Sequence, residues 1–123
     1  MSLADIMKLI DPAPTQVDGL WRMVAHRHLC LGPTGHKHLS GGAALASVVA
    51  ALEGETSRPL IHANAQFLSS PLAGDSFDIQ IGPIKAGRSI TQALATIFVA
   101  GQGVAHVAAA LGAREEIGPF VWE

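Results

Sequence analysis

The sequence is short of charged residues. Of its 123 residues, only 15% are Asp, Glu, Lys or Arg, against about a quarter in an ordinary soluble domain, while 49% are hydrophobic. A single domain of this size still has a large surface to cover with polar side chains. We therefore expect some of its apolar surface to meet another subunit or an apolar ligand.

Other scarcities exclude whole classes of protein. Eight basic residues against ten acidic ones give a net charge of −2, which argues against nucleic acid as a partner. The longest apolar run, Ala43–Leu52, is interrupted by Ser47 and is far shorter than the ~20 residues that cross a bilayer. Residues 1–10 lack the basic start and the cleavage site of a signal peptide. The single cysteine, Cys30, allows no internal disulfide, so we expect a cytoplasmic protein without a membrane partner.

One long helix stands out in the predicted secondary structure. Ser40 is a good N-cap, Gly41 and Gly42 open the segment, and Gly54 is expected to end the helix after the apolar stretch Ala43–Leu52. A helix that is apolar on every side is a buried one, so we expect the rest of the chain to surround it. A short amphipathic helix is predicted at the N-terminus, where apolar residues fall at helical spacing: Leu3, Ile6, Met7 and Ile10.

The remaining apolar runs are typical of strands. A first strand is predicted at Leu20–Leu31, with a glycine-rich loop after it. Four more follow the helix, each bounded by Gly or Pro: Leu60–Leu68, Ser76–Ile84, Ser89–Val99 and Val104–Leu111. The turns between these four are short, which favours neighbouring antiparallel strands. The order predicts an α+β hotdog fold, a long buried central helix wrapped by a strongly curved antiparallel sheet, with its core at about 20–113.

The order of several short motifs resembles the acyl-CoA thioesterase II-like family, whose full members join two hotdog domains in one chain. The likeness is to the N-terminal hotdog domain and runs from about Trp21 to Ala113. The motifs are Gly41-Gly42, His62 with Phe67-Leu68, Pro71 leading into Gly74-Asp75, and Gly87-Arg88-Ser89. The resemblance implies one hotdog domain over 1–123. It either pairs with a second copy, as a homodimer or higher homo-oligomer, or is the N-terminal half of a longer double-hotdog protein.

The resemblance also implies that the chain binds an acyl-CoA thioester, with coenzyme A as part of the substrate and no separate cofactor. Hotdog thioesterases usually place a carboxylate on or beside the central helix. Here no Asp or Glu occurs between Asp18 and Glu53. The family's aspartate, hydroxyl and glutamine, which belong to the second domain, fall by register near Gly41, Leu60 and Ala109, so none of them carries over.

Three functions therefore stay open. The first is an acyl-CoA thioesterase that takes its base from another subunit or from a second hotdog. The second is a non-catalytic half that binds acyl-CoA or serves a structural role. The third and weakest is an enoyl-CoA hydratase, because that chemistry also needs an acid–base pair.

Two pairs of residues are candidates for substrate binding. Gly41 and Gly42 let the backbone approach a ligand closely, and the unpaired N–H groups at a helix start suit a thioester carbonyl or an oxyanion. The alternative is that the two glycines only allow tight packing under the sheet. The resemblance places Arg88 and Ser89 at the pantetheine and phosphates of coenzyme A; the alternative is a solvated turn.

Three polar residues are candidates for catalysis. His62, Asn64 and Gln66 alternate along one predicted strand and so share a face. They orient a water beside the helix if that face is the concave one. Otherwise they line an exposed face or a polar seam between subunits. Ser47 is expected to bond back to a carbonyl of the preceding helical turn rather than to act as a nucleophile.

Histidines form two H-x-H pairs, His26 with His28 and His36 with His38. The first pair and Cys30 share one face of the predicted first strand, which raises the possibility of a metal site. Neither a nearby carboxylate nor a second cysteine completes a ligand set, so no metal is expected. Cys30 is interpreted as an inert buried thiol.

Overall fold

One long helix packs on an antiparallel sheet. The computed structural model describes residues 2–113, so both ends of the predicted 1–123 domain lie outside the described residues. The helices are α1 (Leu3–Met7) and α2 (Gly41–Thr56). The strands are β1 (Ala13–Pro14), β2 (Leu20–Val24), β3 (Cys30–Leu31), β4 (His38–Leu39), β5 (Leu60–Phe67), β6 (Ser76–Lys85), β7 (Ile90–Val99) and β8 (Gln102–Gly112). Neither described helix is both long enough and apolar enough to cross a membrane.

The main sheet has six strands in the order β1-β2-β6-β7-β8-β5, and every neighbouring pair is antiparallel. The predicted α+β fold, with a short N-terminal helix and one central helix on an antiparallel sheet, is confirmed. One neighbour was predicted wrongly, because β5 pairs with β8 and not with β6. The chain between β5 and β6 crosses the start of α2, where Leu39 N–H donates to Pro71 O at 2.8 Å and Ala73 N–H to Lys37 O at 2.9 Å.

The predicted first strand is broken after Val24. The next residue, Ala25, donates its N–H to Asp75 O at 2.8 Å, and a 3₁₀ turn at Arg27–Leu29 follows. The chain then leaves the main sheet, since β3 pairs only with β4. The prediction of one continuous strand was wrong. The strand ends because of hydrogen bonds to residues far away in the sequence, which no local pattern predicts.

Helix α2 begins where its sequence signals predict. The Ser40 hydroxyl accepts a hydrogen bond from Ala43 N–H at 3.1 Å, and the helix continues to Thr56. The prediction for Ser47 is confirmed, because its hydroxyl donates to Ala43 O at 2.7 Å. Gly54 lies inside the helix rather than ending it, and the Trp21 ring occupies the space where a Cβ would project.

The sheet covers one face of α2. Buried residues recur at helical spacing on that face: Ala44, Ser47, Val48, Ala51 and Leu52. They join large side chains of the sheet in one core, among them Phe77, Ile79, Ile97 and Leu111. The expectation that the rest of the chain surrounds the helix is not met on every side, because apolar residues of the opposite face are only half-buried: Ala46, Val49 and Ala50.

We expect Gly112→Ala to lower the free energy of unfolding by about 1–3 kcal/mol more than Gly35→Ala does, the size of an overpacking cost. Gly112 has φ +146°, and a Cβ there would collide with the carbonyl oxygen of Ser89. Urea denaturation of both proteins measures the loss. Gly35→Ala is the matched control, because Gly35 also has a positive φ, +84°, but no atom lies within 4 Å of its added Cβ. Equal losses in the two variants would show that the contact with Ser89 costs nothing.

Candidate functional site

A pocket of about 600 Å³ opens at the start of α2. Its walls come from the β3–β4 hairpin, the first turn of the helix and the chain that follows β5. Four exposed apolar side chains line it: Leu31, Phe67, Leu68 and Leu72. Its polar members are His38, Ser40, Ser69 and Ser70. An apolar ligand with one polar group fits such a pocket.

The backbone N–H groups at the start of α2 fall into two pairs, one with hydrogen-bond acceptors among the described residues and one without. Ala43 N–H is capped by Ser40 Oγ, and Ala44 N–H donates to Ser40 O at 2.9 Å. The N–H groups of Gly41 and Gly42, by contrast, make no hydrogen bond with any described residue. They carry the partial positive charge of a helix N-terminus, which suits a carbonyl oxygen or an oxyanion.

The alternative explanation, that the two glycines serve tight packing, is not supported at Gly42. A Cβ on Gly42 would meet nothing within 4 Å, and one on Gly41 would lie 3.6 Å from the Phe67 ring, an ordinary contact. Both residues are exposed. Both residues are therefore accessible to a ligand.

No carboxylate lines this pocket within the described part of the chain, and His38 is the titratable side chain in its wall. Asp75 lies near Leu72, but its carboxylate accepts the Leu72 N–H at 3.0 Å. Sequence reasoning missed the pocket wall at His38, Phe67 and Ser69. These residues reach the pocket because the chain after β5 crosses the start of α2. No local sequence pattern predicts such a crossing.

The predicted catalytic residues lie on the other side of the sheet. His62, Asn64 and Gln66 are exposed, whereas Ala63 and Ala65 between them pack against the core. They share one face as predicted, but that face points away from α2. The condition for placing a water beside the helix is therefore not met within this chain, and their catalytic role stays a prediction.

A shallow groove of about 400 Å³ runs along this outer face. Its floor is formed by the small side chains of Ala108 and Ala110, between His62 and Asn64 on one side and Gln92 on the other. Beyond it, Thr96 Oγ1 and His106 Nδ1 lie 3.3 Å apart. Ile84, Lys85 and Leu94 also line the groove. Of its polar residues, His62 and Asn64 lie on the edge strand β5, so their exposed side chains are compatible with the predicted polar seam between subunits.

Arg88 and Ser89 lie at the opposite end of α2 from the pocket. Arg58, just after the helix, donates from Nη2 to Arg88 O at 3.3 Å. The 16 residues of α2 span about 24 Å, so these two residues and Gly41 are a helix length apart. Within one chain, the four predicted binding residues form two separate groups.

The first histidine pair and Cys30 do not share a strand face. His26 caps the 3₁₀ turn, its Nδ1 accepting the N–H of His28 at 3.3 Å, and the two rings stack with centroids 5.1 Å apart. Cys30 is buried, its thiol donates to His26 O at 3.4 Å, and burial raises the pKa of that thiol. Across residues 2–113, no three potential metal ligands come together.

Comparison with known proteins gives a family match. The family model of the acyl-CoA thioesterase N-terminal domain matches residues 32–113. No curated protein matches the chain.

Solved structures share the fold. A proposed thioesterase from Novosphingobium aromaticivorans is 28% identical with a TM-score of 0.81, and the match covers 91% of this chain and 44% of that one. The tesB protein of Mycobacterium avium subspecies paratuberculosis is 14% identical with a TM-score of 0.78, covering 100% and 46%. The Streptococcus mutans protein smu.793, solved with acetyl CoA bound, is 16% identical with a TM-score of 0.66, covering 83% and 87%. The chain spans less than half the length of the first two.

Proposed function

The chain belongs to the acyl-CoA thioesterase N-terminal domain family, and we propose that it binds an acyl-CoA thioester at the start of α2. The observation that carries the proposal is that the N–H groups of Gly41 and Gly42 donate to no described residue, and that Gly41 lines an apolar pocket. Acetyl CoA bound to smu.793 supports this class of ligand.

The pocket accommodates the two parts of a thioester separately. The carbonyl oxygen accepts hydrogen bonds from the amides of Gly41 and Gly42, and the acyl chain lies against Phe67, Leu68 and Leu72. When water attacks the carbonyl carbon, the oxygen becomes an oxyanion, and the same donors stabilise it more strongly than they stabilise the carbonyl. This difference is what makes such donors catalytic.

A second hotdog, either a copy of this chain or another domain, completes the proposed site by pairing with β5. Strand β5 is an eight-residue edge that no other described strand covers, whereas the opposite edge is the two-residue β1, which ends at Pro14. Pairing about a two-fold axis is antiparallel, so the start of one β5 meets the end of the other. The proposed pairing thus brings Arg88 and Ser89 of the partner subunit to the end of the molecule that holds Gly41.

The second candidate function is a non-catalytic half that binds acyl-CoA without hydrolysing it. The absence of any carboxylate from the described pocket wall favours it, because water needs a general base to attack a thioester efficiently. In the first candidate function, the second hotdog supplies that base. In the second, no base is supplied and the ligand is only held.

Release of free thiol from short, medium and aromatic acyl-CoAs, combined with calorimetric binding of coenzyme A, separates the candidates. Thiol release supports hydrolysis, and binding without release supports the non-catalytic half. If the protein neither binds nor hydrolyses any member of the panel, the proposed function is wrong.

We expect His62→Ala and Asn64→Ala to change thiol release, or acyl-CoA affinity, by less than about 2-fold, because changes outside a site rarely cost more than ~0.5 kcal/mol. Both side chains lie on the sheet face opposite to α2. His38→Gln is the comparison within the pocket wall and should have the larger effect. A loss of more than about 10-fold in either alanine variant would instead support the catalytic role predicted from the sequence.

A further inference from the structure

A cluster of positive and titratable side chains lies beside the pocket. It comprises residues 26–38, which hold Arg27, Lys37 and four of the six histidines. The 3₁₀ turn and the β3–β4 hairpin bring these residues together, since Ser40 N–H donates to Leu29 O at 3.0 Å and Leu31 pairs with His38. This 26–38 cluster adjoins the pocket directly, because Leu31 and His38 also line it.

Three members of the cluster lie on two adjoining elements, Arg27 and His28 on the 3₁₀ turn and Lys37 in the hairpin that follows it. Stacking on His26 and the hydrogen bond from its own N–H to His26 Nδ1 fix the position of His28. Partial desolvation, followed by the positive charges of Arg27, His26 and Lys37, holds the pKa of His28 below its usual value. Lys37 also acts on the Cys30 thiol, where it opposes the effect of burial on the pKa. The hairpin places Lys37 opposite Gly32, because a Cβ on Gly32 would lie 3.5 Å from Lys37 Cα.

No described carboxylate neutralises these charges. The ion pair found among residues 2–113 joins Arg22 to Asp78 and involves no member of the cluster. On one side His26 shares a depression with Asp11 and Arg22, and on another Asp75 is bonded to Leu72 N–H. The β3–β4 hairpin contributes His36 and His38 to the cluster and no carboxylate. Arg27, His28 and Lys37 are themselves exposed, so their surface is positive and open to an anion.

We propose that Arg27, His28 and Lys37 bind a phosphate group, and that in this protein the phosphate belongs to the coenzyme A part of the ligand. The assignment to coenzyme A rests on the proposed function. Guanidinium, imidazolium and ammonium donors form charge-assisted hydrogen bonds to phosphate oxygens. His26 positions His28 through the stacked ring and the backbone hydrogen bond.

The first test measures affinity by calorimetry for coenzyme A, adenosine 3′,5′-bisphosphate and inorganic phosphate. We expect Arg27→Gln and Lys37→Gln each to weaken binding of all three about 3- to 5-fold, the size expected for an exposed ion pair. Lys8→Gln is the matched control, because it removes the same charge from an exposed lysine outside the cluster and should change nothing. Coenzyme A should bind more tightly than inorganic phosphate, and equal affinities would overturn the assignment to the coenzyme.

The second test uses the pH dependence of binding with sulfate as the probe, because sulfate keeps a constant charge between pH 5 and 8. A bound dianion favours the protonated imidazole, so it raises the pKa of His28 and binding takes up a proton. Affinity should therefore fall as pH rises through the range in which His28 loses its proton, around and below its ordinary value of about 6.5. His28→Asn should remove this dependence, and an unchanged slope in that variant would overturn the role of His28.

The two proposals fail in different ways. Ring signals of His28 that shift on addition of inorganic phosphate support the site even in a protein that releases no thiol. Thiol release with identical KM in the wild type, Arg27→Gln and Lys37→Gln, and no phosphate-induced shift, would overturn the site and leave the proposed function intact.

Discussion

Replacing Gly41 by Pro is expected to lower thiol release from acyl-CoA by about 100- to 1,000-fold, the usual cost of losing one oxyanion donor. Proline removes the N–H of Gly41, which the helix does not need, because the N–H at the first helical position has no intrahelical partner. Ser40 already has the extended conformation, ψ 149°, that a residue before proline requires. In a protein that binds without hydrolysing, the same change should weaken acyl-CoA binding about 5- to 10-fold.

The matched control is Gly41→Ala, which keeps the N–H and adds a methyl group in ordinary contact with the Phe67 ring. We expect this variant to retain nearly full thiol release and affinity. Circular dichroism and the thermal midpoint verify that both variants keep the helix. If proline and alanine had the same effect, the Gly41 amide would not be a donor to the ligand.

Local signals account for the parts of the fold that the sequence predicts well. The hydroxyl of Ser40, the apolar stretch after it and the alternation in β6 each act over a few residues, so the start of α2 and the strands after it follow from sequence alone. Gly41 and Gly42 lie at the start of α2 for the same reason, whereas their role in binding substrate stays a prediction.

Long-range contacts account for the parts that could not be predicted. Whether β5 pairs with β6 or with β8 depends on the crossing chain that bonds Leu39 to Pro71, and the end of β2 depends on the bond from Ala25 to Asp75. Short turns favour neighbouring strands, but a segment of similar length can also cross a helix. The same crossing places His38 in the pocket wall, since His38 pairs with Leu72 of the crossing chain, and no local pattern predicts that contact.

Alternation along a strand shows which side chains share a face but not which face meets the helix. The prediction that His62, Asn64 and Gln66 share a face was correct. The alanines between them pack against the core, because burying a small apolar side chain costs less free energy than burying a polar one. The same limit applies to Arg88, whose distance from Gly41 follows from the contact of its carbonyl with Arg58.

Substituting Asn64 by Lys is expected to weaken the proposed pairing of two β5 strands about 100-fold or more. Asn64 lies at the middle of β5, so two-fold pairing brings both copies of residue 64 close together, and like charges facing each other cost several kcal/mol. The side chain is exposed in the single chain, so the fold itself should be unaffected. Light scattering should show a shift towards the mass of one chain, 12.8 kDa.

Gln92→Lys is the matched control for this change. Gln92 is exposed on the same face of the sheet, but it lies on β7, two strands away from the β5 edge, so it adds the same charge without touching the seam. The proposed role of Arg88 and Ser89 of the partner subunit adds a second readout, because Asn64→Lys should also weaken coenzyme A binding while Gln92→Lys should not. If Asn64→Lys had the same mass and the same coenzyme A affinity as the wild type, the β5 edge would not be the seam, and Arg88 and Ser89 would lie too far from Gly41 to share its ligand.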